Sequence, residues 1–377
     1  MKPILCIVGT RPNYMKIAPI IAAFINHTPP IPYVLVHTGQ HYDANMEKVF
    51  FEALNAPAPD INLKVGAGTH AIQTGEIMKR LDPVVDELDP SCVLVLGDVN
   101  STLGAALVAA KRGLPLIHVE SGLRSGDRAM PEEINRIVTD QLSNILFTTE
   151  RSAKANLLRE GIDEDRIVFV GNVMIDSLER SKSKAIPVQQ TLEQCGVAGA
   201  KSITTKKYVV VTLHRPSNVD VAENFAGLIE GLNHIAIDMP LIFPMHPRTK
   251  GNLEKFDLLK KLRGNWIVIP PQGYFEMIGL MRDAFVVCTD SGGIQEETTM
   301  LSTPCLTLRE NTERPITIEQ GTNELVGTQT SDIIAAYVRL KNADKSSNSK
   351  RPEFWDGHAA ERICAHLWER RKMLNWA

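Results

Sequence analysis

This 377-residue chain lacks most of the features that would assign it quickly. Its six cysteines, Cys6, Cys92, Cys195, Cys288, Cys305 and Cys364, form no C-x-x-C pair and show no zinc-ligand spacing with histidine. They read as reduced, mostly buried thiols. No apolar run approaches the roughly 18 residues of a membrane span, and the run after Met1, Ile4–Val8, is too short for a signal-peptide core. The formal charge is −3, without the basic excess of a dedicated nucleic-acid binder. No Walker A sequence occurs. Gly66-Ala67-Gly68-Thr69-His70-Ala71 matches G-x-G-x-x-A, but it follows a polar, alternating stretch rather than the first buried strand, so a plain loop is expected and no nicotinamide cofactor is implied. His37 and His41 stand at i and i+4 across a glycine rather than on one helix, which argues against a metal pair, and no metal is expected. The expectation is a soluble, cytoplasmic protein of two or three domains, at about 150 residues per domain, with no membrane or nucleic-acid partner.

What the chain does have is rhythm. Short β-rich runs, Ile4–Val8, Tyr33–His37, Cys92–Leu96, Leu116–Val119, Ile145–Thr148 and Ile167–Val170, alternate with helix-like segments at Met15–Asn26, Ala44–Leu54, Ala71–Leu88 and Thr102–Arg112. A second block begins at Tyr208–Leu213 and continues through Leu241–Pro244, Trp266–Ile269, Phe285–Cys288 and Cys305–Leu308. Strands alternating with helices predict parallel sheets covered on both faces. The expected fold is α/β, with two doubly wound Rossmann-like domains facing a central cleft. The expected boundaries are 1–180 for the first domain, 181–207 for a polar linker with a weak helix and 208–355 for the second domain. A C-terminal segment, 356–377, with a helix over His358–Met373, is expected to pack back on the first domain. Lys341–Pro352 reads as a solvated loop.

In such sheets ligands bind beyond the carboxyl ends of the strands, so the residues after each strand carry the functional signal. Asp290-Ser291-Gly292-Gly293 ends a buried strand and opens a helix containing Glu296 and Glu297. Exposed amides at a helix N-terminus bind phosphate, and a carboxylate one turn in reaches a ribose; an ordinary Asp/Ser cap would look the same. Arg11 and Lys16 lie early in a helix, where cations oppose the dipole and call for an anion nearby, or lie on a solvated face. Asp98, Glu120, Glu132 and Glu133 cluster at strand ends of the first half and read as bases for proton transfer or as caps and ion-pair partners. Arg124, Arg128 and Arg136 are equally candidate structural partners for those acids. His214 and His246, beside Arg215 and Arg248, follow strands of the second half and suggest phosphate contact or proton transfer.

Taken together, GTRPNYMKIAP, HTGQHYD, GDVNST, HVESGLRS, MPEEINR, FVGNVMIDSL, TLHRPSN, TDSGGIQEE and ENTERP, in that order from Gly9 to about Gly327, resemble the non-hydrolysing UDP-N-acetylglucosamine 2-epimerases. The resemblance implies two Rossmann-like domains around a cleft, as in the GT-B glycosyltransferases, a homodimer, and reversible conversion of UDP-GlcNAc to UDP-ManNAc for polysaccharide precursors without a cofactor. Elimination of UDP to a 2-acetamidoglucal precedes re-addition, with a proton delivered to the opposite face of C2. By motif, Asp98, Glu120, Glu132 and His214 match catalytic positions. Arg11, Lys16, Ser291, Gly292, Gly293, Glu297 and Arg314 match positions that hold the nucleotide sugar. Gln272 and Met277 fall in a segment that resembles the uridine-binding loop, and Arg136, Arg215 and His246 are further candidate contacts.

Departures from the family pattern are Asn13-Tyr14 where many members carry Glu-Ala, Ser121 beside Glu120, Met277 where an aromatic is common, and Asp43 at the position of a regulatory glutamine. The alternatives are a 2-epimerase of a diacetamido-uronic UDP sugar, a hydrolysing 2-epimerase, a GT-B glycosyltransferase, and a nucleotide-sugar-binding regulator that has lost the carboxylates.

Overall fold

The computed structural model describes residues 1–39, 57–343 and 351–374. The chain divides into two compact units, Met1–Arg180 with Glu353–Ala377, and Ser181–Pro352.

The first unit is a seven-stranded, all-parallel sheet. Its strands are β1 (Ile4–Val8), β2 (Tyr33–His37), β3 (Ile61–Asn62), β4 (Cys92–Leu96), β5 (Leu116–Ser121), β6 (Ile145–Thr148) and β7 (Ile167–Phe169), in the order β3-β2-β1-β4-β5-β6-β7. Their helices are α1 (Arg11–Asn26), α2 (His70–Leu88), α3 (Asn100–Lys111), α4 (Pro131–Leu142), α5 (Arg151–Arg159) and α6 (Val173–Ser181). The period of two along β1 sorts its side chains. Ile4, Cys6 and Val8 meet Ile17, Ile20 and Phe24 of α1 on one face, while Leu5 and Ile7 pack with Leu81, Val85 and Ala105 on the other. A strand buried on both faces reads as an unbroken apolar run, which is how β1, β2 and β4 are recognised from sequence. The segment expected to be helical at Ala44–Leu54, together with His41 and Asp43, lies outside the described residues.

The second unit repeats the plan with six parallel strands. They are β8 (Val209–Thr212), β9 (Leu241–Pro244), β10 (Trp266–Ile269), β11 (Val286–Thr289), β12 (Cys305–Thr307) and β13 (Asn323–Leu325), in the order β10-β9-β8-β11-β12-β13. Its helices are α7 (Val188–Gln194), α8 (Pro216–Val219), α9 (Ala222–Asp238), α10 (Pro247–Lys255), α11 (Tyr274–Asp283), α12 (Gly292–Leu301), α13 (Ile316–Glu319) and α14 (Thr330–Asn342). The last helix, α15 (Ala359–Glu369), returns to the first unit. There Asp176 accepts hydrogen bonds from the Ala359 and Ala360 amides at 3.2 and 2.7 Å, and Trp355 Nε1 donates to the Thr149 carbonyl at 3.2 Å.

Several expectations change. The segment 181–207, expected as a polar linker with a weak helix, carries the helix α7, which buries Val188 and Leu192, one turn apart, with Ala200 and Ile203 against Val210, Ile242 and Leu280. The few apolar residues of that polar stretch are the ones on its inner face. Strand β5 runs on through Glu120 and Ser121, with a register shift against β6 at that point. Helix α1 begins at Arg11 rather than Met15, helped by a proline in its first turn. The G-x-G-x-x-A stretch turns from edge strand β3 into α2, with Thr69 capping the Ile72 amide at 3.3 Å.

In each sheet the strand order reverses once, beside β1 and β4 in the first unit and beside β8 and β11 in the second. Ligands of doubly wound sheets bind in the crevice outside such a switch point.

Candidate active site

At the first switch point, Asn13 ties the two strand ends together. Its Oδ1 accepts from the Gly9 and Thr10 amides at 3.1 and 3.2 Å, and its Nδ2 donates to the Leu96 carbonyl at 3.2 Å. Helix α1 then carries Lys16 inward, and its Nζ meets Glu120 Oε2 at 2.6 Å, both side chains buried. Arg11, of which only the backbone is described, is the first residue of that helix. Gly97 leaves room for the pair: a Cβ there would lie 3.0 Å from Lys16 Nζ, and the residue has φ +63°. Glu120 itself holds φ +70° at the register shift of β5. Left-handed backbone is uncommon for any residue except glycine, and such strain persists where surrounding structure imposes it, often at functional sites.

Asp98 follows Gly97, and its carboxylate is bound by the guanidinium of Arg136, which is 2 % exposed. Arg136 also meets Glu133 at 2.6 Å, and Glu133 accepts from the Ser125 and Gly126 amides at 3.0 and 2.9 Å. Burial raises Glu133, but those amides and Arg136 outweigh it and hold its carboxyl below the usual range. The acidic doublet at the start of α4 is therefore split. Glu133 is a structural clamp, whereas Glu132 is half-buried with no ion pair or hydrogen bond to another described residue.

Beneath this cluster lie His118 and Asp140, both fully buried. His118 Nδ1 is 2.6 Å from Asp140 Oδ1, and its Nε2 is 2.8 Å from the Gly97 carbonyl. Asp140 Oδ2 accepts from the Gly122 amide at 3.1 Å and from Arg124 at 2.8 Å. Burial raises Asp140, but His118 and then Arg124 outweigh it and hold the carboxyl below the ordinary range. Of the arginines considered as partners for the acids, Arg124 pairs with Asp140 and Glu160, and Arg136 with Asp98 and Glu133.

At the second switch point the organising group is Asp290, fully buried at the end of β11. It accepts from the His214 amide at 3.0 Å, the Arg215 amide at 2.9 Å and Asn218 Nδ2 at 3.2 Å, and it faces His214 Nδ1 at 2.9 Å. Burial raises Asp290, but the His214 ring and these amides win and hold it low. With Nδ1 turned to the carboxylate, the half-exposed His214 ring presents Nε2 outward, the arrangement in which a carboxylate fixes the tautomer of a working histidine.

Beside it, Ser291 occupies the N-cap of α12 but makes no side-chain capping bond, so the first-turn amides, those of Gly292 and Gly293 among them, are not covered by that side chain; uncapped amides of this kind are suited to an anion. The ordinary cap considered from sequence is thus not formed. Glu313 lies under this turn, and a Cβ on Gly292 would fall 2.6 Å from its Oε1. Glu313 meets Arg309 at 2.8 Å and Arg215 at 3.3 Å, while Arg314 meets Glu296 at 2.6 Å. Burial works against Glu313, but Arg309, Arg314 and Arg215 outweigh it and hold it well below the carboxylate range. Three arginines against two carboxylates leave this buried cluster positive. Glu297 differs: burial and the neighbouring Glu296 push it up to about 8 against the pull of the Tyr274 hydroxyl.

The remaining sequence candidates are placed less distinctively. Gln272 Nε2 donates to the Pro270 carbonyl at 2.7 Å and to Cys195 Sγ at 3.3 Å, bracing its own loop. Met277 packs against the apolar layer of α7. His246 caps α10, accepting from the Arg248 amide at 3.2 Å, while Arg248 pairs with Asp220. Sequence reasoning did not single out Asp290, Glu313, Arg309 or the His118–Asp140 pair as working groups. Asp290 is separated from His214 by 76 positions, and the pairing becomes visible only when β8 and β11 lie side by side. Among the described residues no cluster of three or more His, Cys, Asp or Glu side chains is arranged to hold a metal ion.

A family model described as UDP-N-acetylglucosamine 2-epimerase matches residues 24–368. A UDP-N-acetylglucosamine 2-epimerase of Methanocaldococcus jannaschii is 43% identical over 361 residues, covering 95% of this chain and 96% of the relative. A UDP-2,3-diacetamido-2,3-dideoxy-D-glucuronate 2-epimerase of Pseudomonas aeruginosa is 39% identical, covering 97% of this chain and 98% of its own. Among solved structures, the M. jannaschii UDP-GlcNAc 2-epimerase in complex with UDP-GlcNAc and UDP aligns with a TM-score of 0.87 at 42% identity, covering 97% of this chain and 99% of that one.

Proposed function

Because the chain belongs to the UDP-N-acetylglucosamine 2-epimerase family, we propose that it interconverts UDP-GlcNAc and UDP-ManNAc by inversion at C2. The proton on C2 has no adjacent carbonyl to acidify it. In the proposed reaction the C1–O bond breaks, its electron pair leaves with UDP, and positive charge at C1 makes the C2 proton transferable to a carboxylate. The 2-acetamidoglucal then takes a proton on the opposite face of C2 while a UDP oxygen re-forms the bond to C1.

The observation that carries this reading is the buried Lys16–Glu120 pair, with its carboxylate on a left-handed backbone at the switch point of the first sheet. In this reading Glu120, Asp98 and Glu132 do the proton work; a positioned carboxylate contributes about 10² to 10⁴ in rate. Lys16 orients Glu120, and Lys16 and Arg11 bind the sugar diphosphate. The capless turn at Ser291, Gly292 and Gly293, backed by the cluster that includes Arg215 and Arg314, holds the diphosphate, and Glu297 takes the ribose. His214, oriented by Asp290, hydrogen-bonds the departing phosphate oxygen. Gln272 and Met277 border the uracil, and Arg136 acts through Asp98. The enzyme works in the cytoplasm as a homodimer and supplies a polysaccharide precursor; no described helix is long and apolar enough to cross a membrane.

Proton NMR with UDP-GlcNAc in D₂O, without nicotinamide, tests the reading. UDP-ManNAc carrying deuterium at C2 is the expected product. Free ManNAc with UDP would identify a hydrolysing enzyme. The P. aeruginosa relative supplies the second substrate to try: turnover of the diacetamido-uronic sugar alone would move the assignment to it.

A further inference from the structure

We propose that the buried, hydrogen-bonded His118–Asp140 pair is a positioning device that fixes the backbone on both flanks of Glu120; this deepens the epimerase reading and rests on it. Both ring nitrogens of His118 face groups that only accept, the Asp140 carboxylate and the Gly97 carbonyl. The ring is therefore held between two acceptors on opposite edges, one on a helix and one at a strand end. The groups around it are Asp140 from α4, Arg124 from the loop after β5 and the Gly97 carbonyl from the end of β4, with Glu160 on the far side of Arg124.

Through Nε2 the ring fixes the peptide that joins Gly97 to Asp98, while the Gly97 amide donates to the Val119 carbonyl at 3.0 Å. Through Asp140 the same pair holds the Gly122 amide at 3.1 Å. Glu120 lies between these two anchors with its φ of +70°. A β-strand residue does not adopt that conformation unaided, and the anchors on either side supply the constraint. A buried polar pair of this kind is a poor way to gain stability, because apolar residues of the same volume do as well or better. The pair is suited instead to direction: a ring hydrogen-bonded at both ends sets the orientation of the Gly97–Asp98 peptide, and therefore where the carboxylates of Asp98 and Glu120 point. His118 and Asp140 are thus positioning residues.

The test uses the full chain with His118→Gln and, separately, Asp140→Asn. Both variants are expected to bind UDP as the parent does in titration calorimetry. Their kcat for epimerisation and for C2 deuterium incorporation should fall roughly 10- to 100-fold, with KM within about twofold. Amide hydrogen exchange should quicken at 97–98 and 121–122. Unchanged kcat in a folded variant, or a loss confined to KM, overturns the proposal. If the parent chain itself turns over no UDP-GlcNAc, the functional reading has failed instead. The exchange measurement then decides alone, and unaltered protection at those two places overturns the positioning role. Should His118→Gln not fold, Asp140→Asn is judged by the same criteria.

Discussion

The two sheets offer the same crevice at the same topological position and fill it with opposite chemistry. In the first unit the residues beyond the strand ends are mainly acids, each handled separately: Glu120 on Lys16, Asp98 on Arg136, and Glu132 without a side-chain partner among the described residues. In the second they are amides and a histidine above a cluster of three arginines that outnumbers its carboxylates. A doubly wound sheet thus supplies a location and no chemistry. The loops decide whether the location moves protons or holds an anion.

The contrast is broken most directly at its acidic side. Glu120→Gln keeps the shape and removes the base, so C2 deuterium incorporation should fall by about 10² to 10⁴, while UDP affinity measured by calorimetry stays near that of the parent. Comparable losses of both would mean that the Glu120 carboxylate is needed to bind the nucleotide as well as to move the proton. A smaller effect is expected on the anionic side. Gly292→Ala drives a methyl toward Glu313, whose arginine partners leave it little room to withdraw. Overpacking of this kind costs about 1–3 kcal/mol, so UDP should bind about tenfold more weakly or worse. Unchanged affinity would remove the α12 turn from the diphosphate site.

The subtlest test concerns the exception to the rule, Glu297, an acid of the second unit that burial and the neighbouring Glu296 push up to about 8. Its folded-state value lies above that of an unfolded glutamate, about 4.3. Its contribution to stability is therefore fully present below about pH 4 and is lost as pH rises toward 8, because the unfolded chain ionises first. Urea unfolding across that range should show a decline that Glu297→Gln reduces by an amount on the order of a few kcal/mol. An identical slope in both proteins would mean that Glu297 is ionised in the folded state.

How far the sequence could be read follows the same division. Apolar runs such as Ile4–Val8 and Cys92–Leu96 announce themselves because parallel strands are buried on both faces. The two-residue β3 and three-residue β13 are too short to leave a pattern, and β5 is cut short at Val119 because the polar Glu120-Ser121 looks like a loop. Motif order made the site residues legible as a set, but not their relations. Nothing in Pro-Glu-Glu distinguishes the clamp Glu133 from its neighbour Glu132, since that difference is made by Arg136 and two loop amides. His118 is hidden by its neighbours: inside an apolar strand it looks like filling, and only the arrival of Asp140 from a helix 22 positions away gives its ring a partner.

The return of α15 to the first unit has a consequence for how the protein is made. Ala359, Ala360, Ile363 and Leu367 belong to the same apolar layer as Ile4, Val8, Ile17 and Phe24. On the ribosome, the part that begins first therefore cannot be completed first. The second unit is one continuous stretch and can close once α14, which supplies Ile333, Ala336 and Tyr337 to its core, has emerged. The first must wait with the outer face of its earliest helix uncovered until the final helix has been synthesised. Synthesis proceeds at about 5–20 residues per second, so that interval lasts many seconds. During it, the chain exposes to chaperones and proteases the surface that α15 later covers.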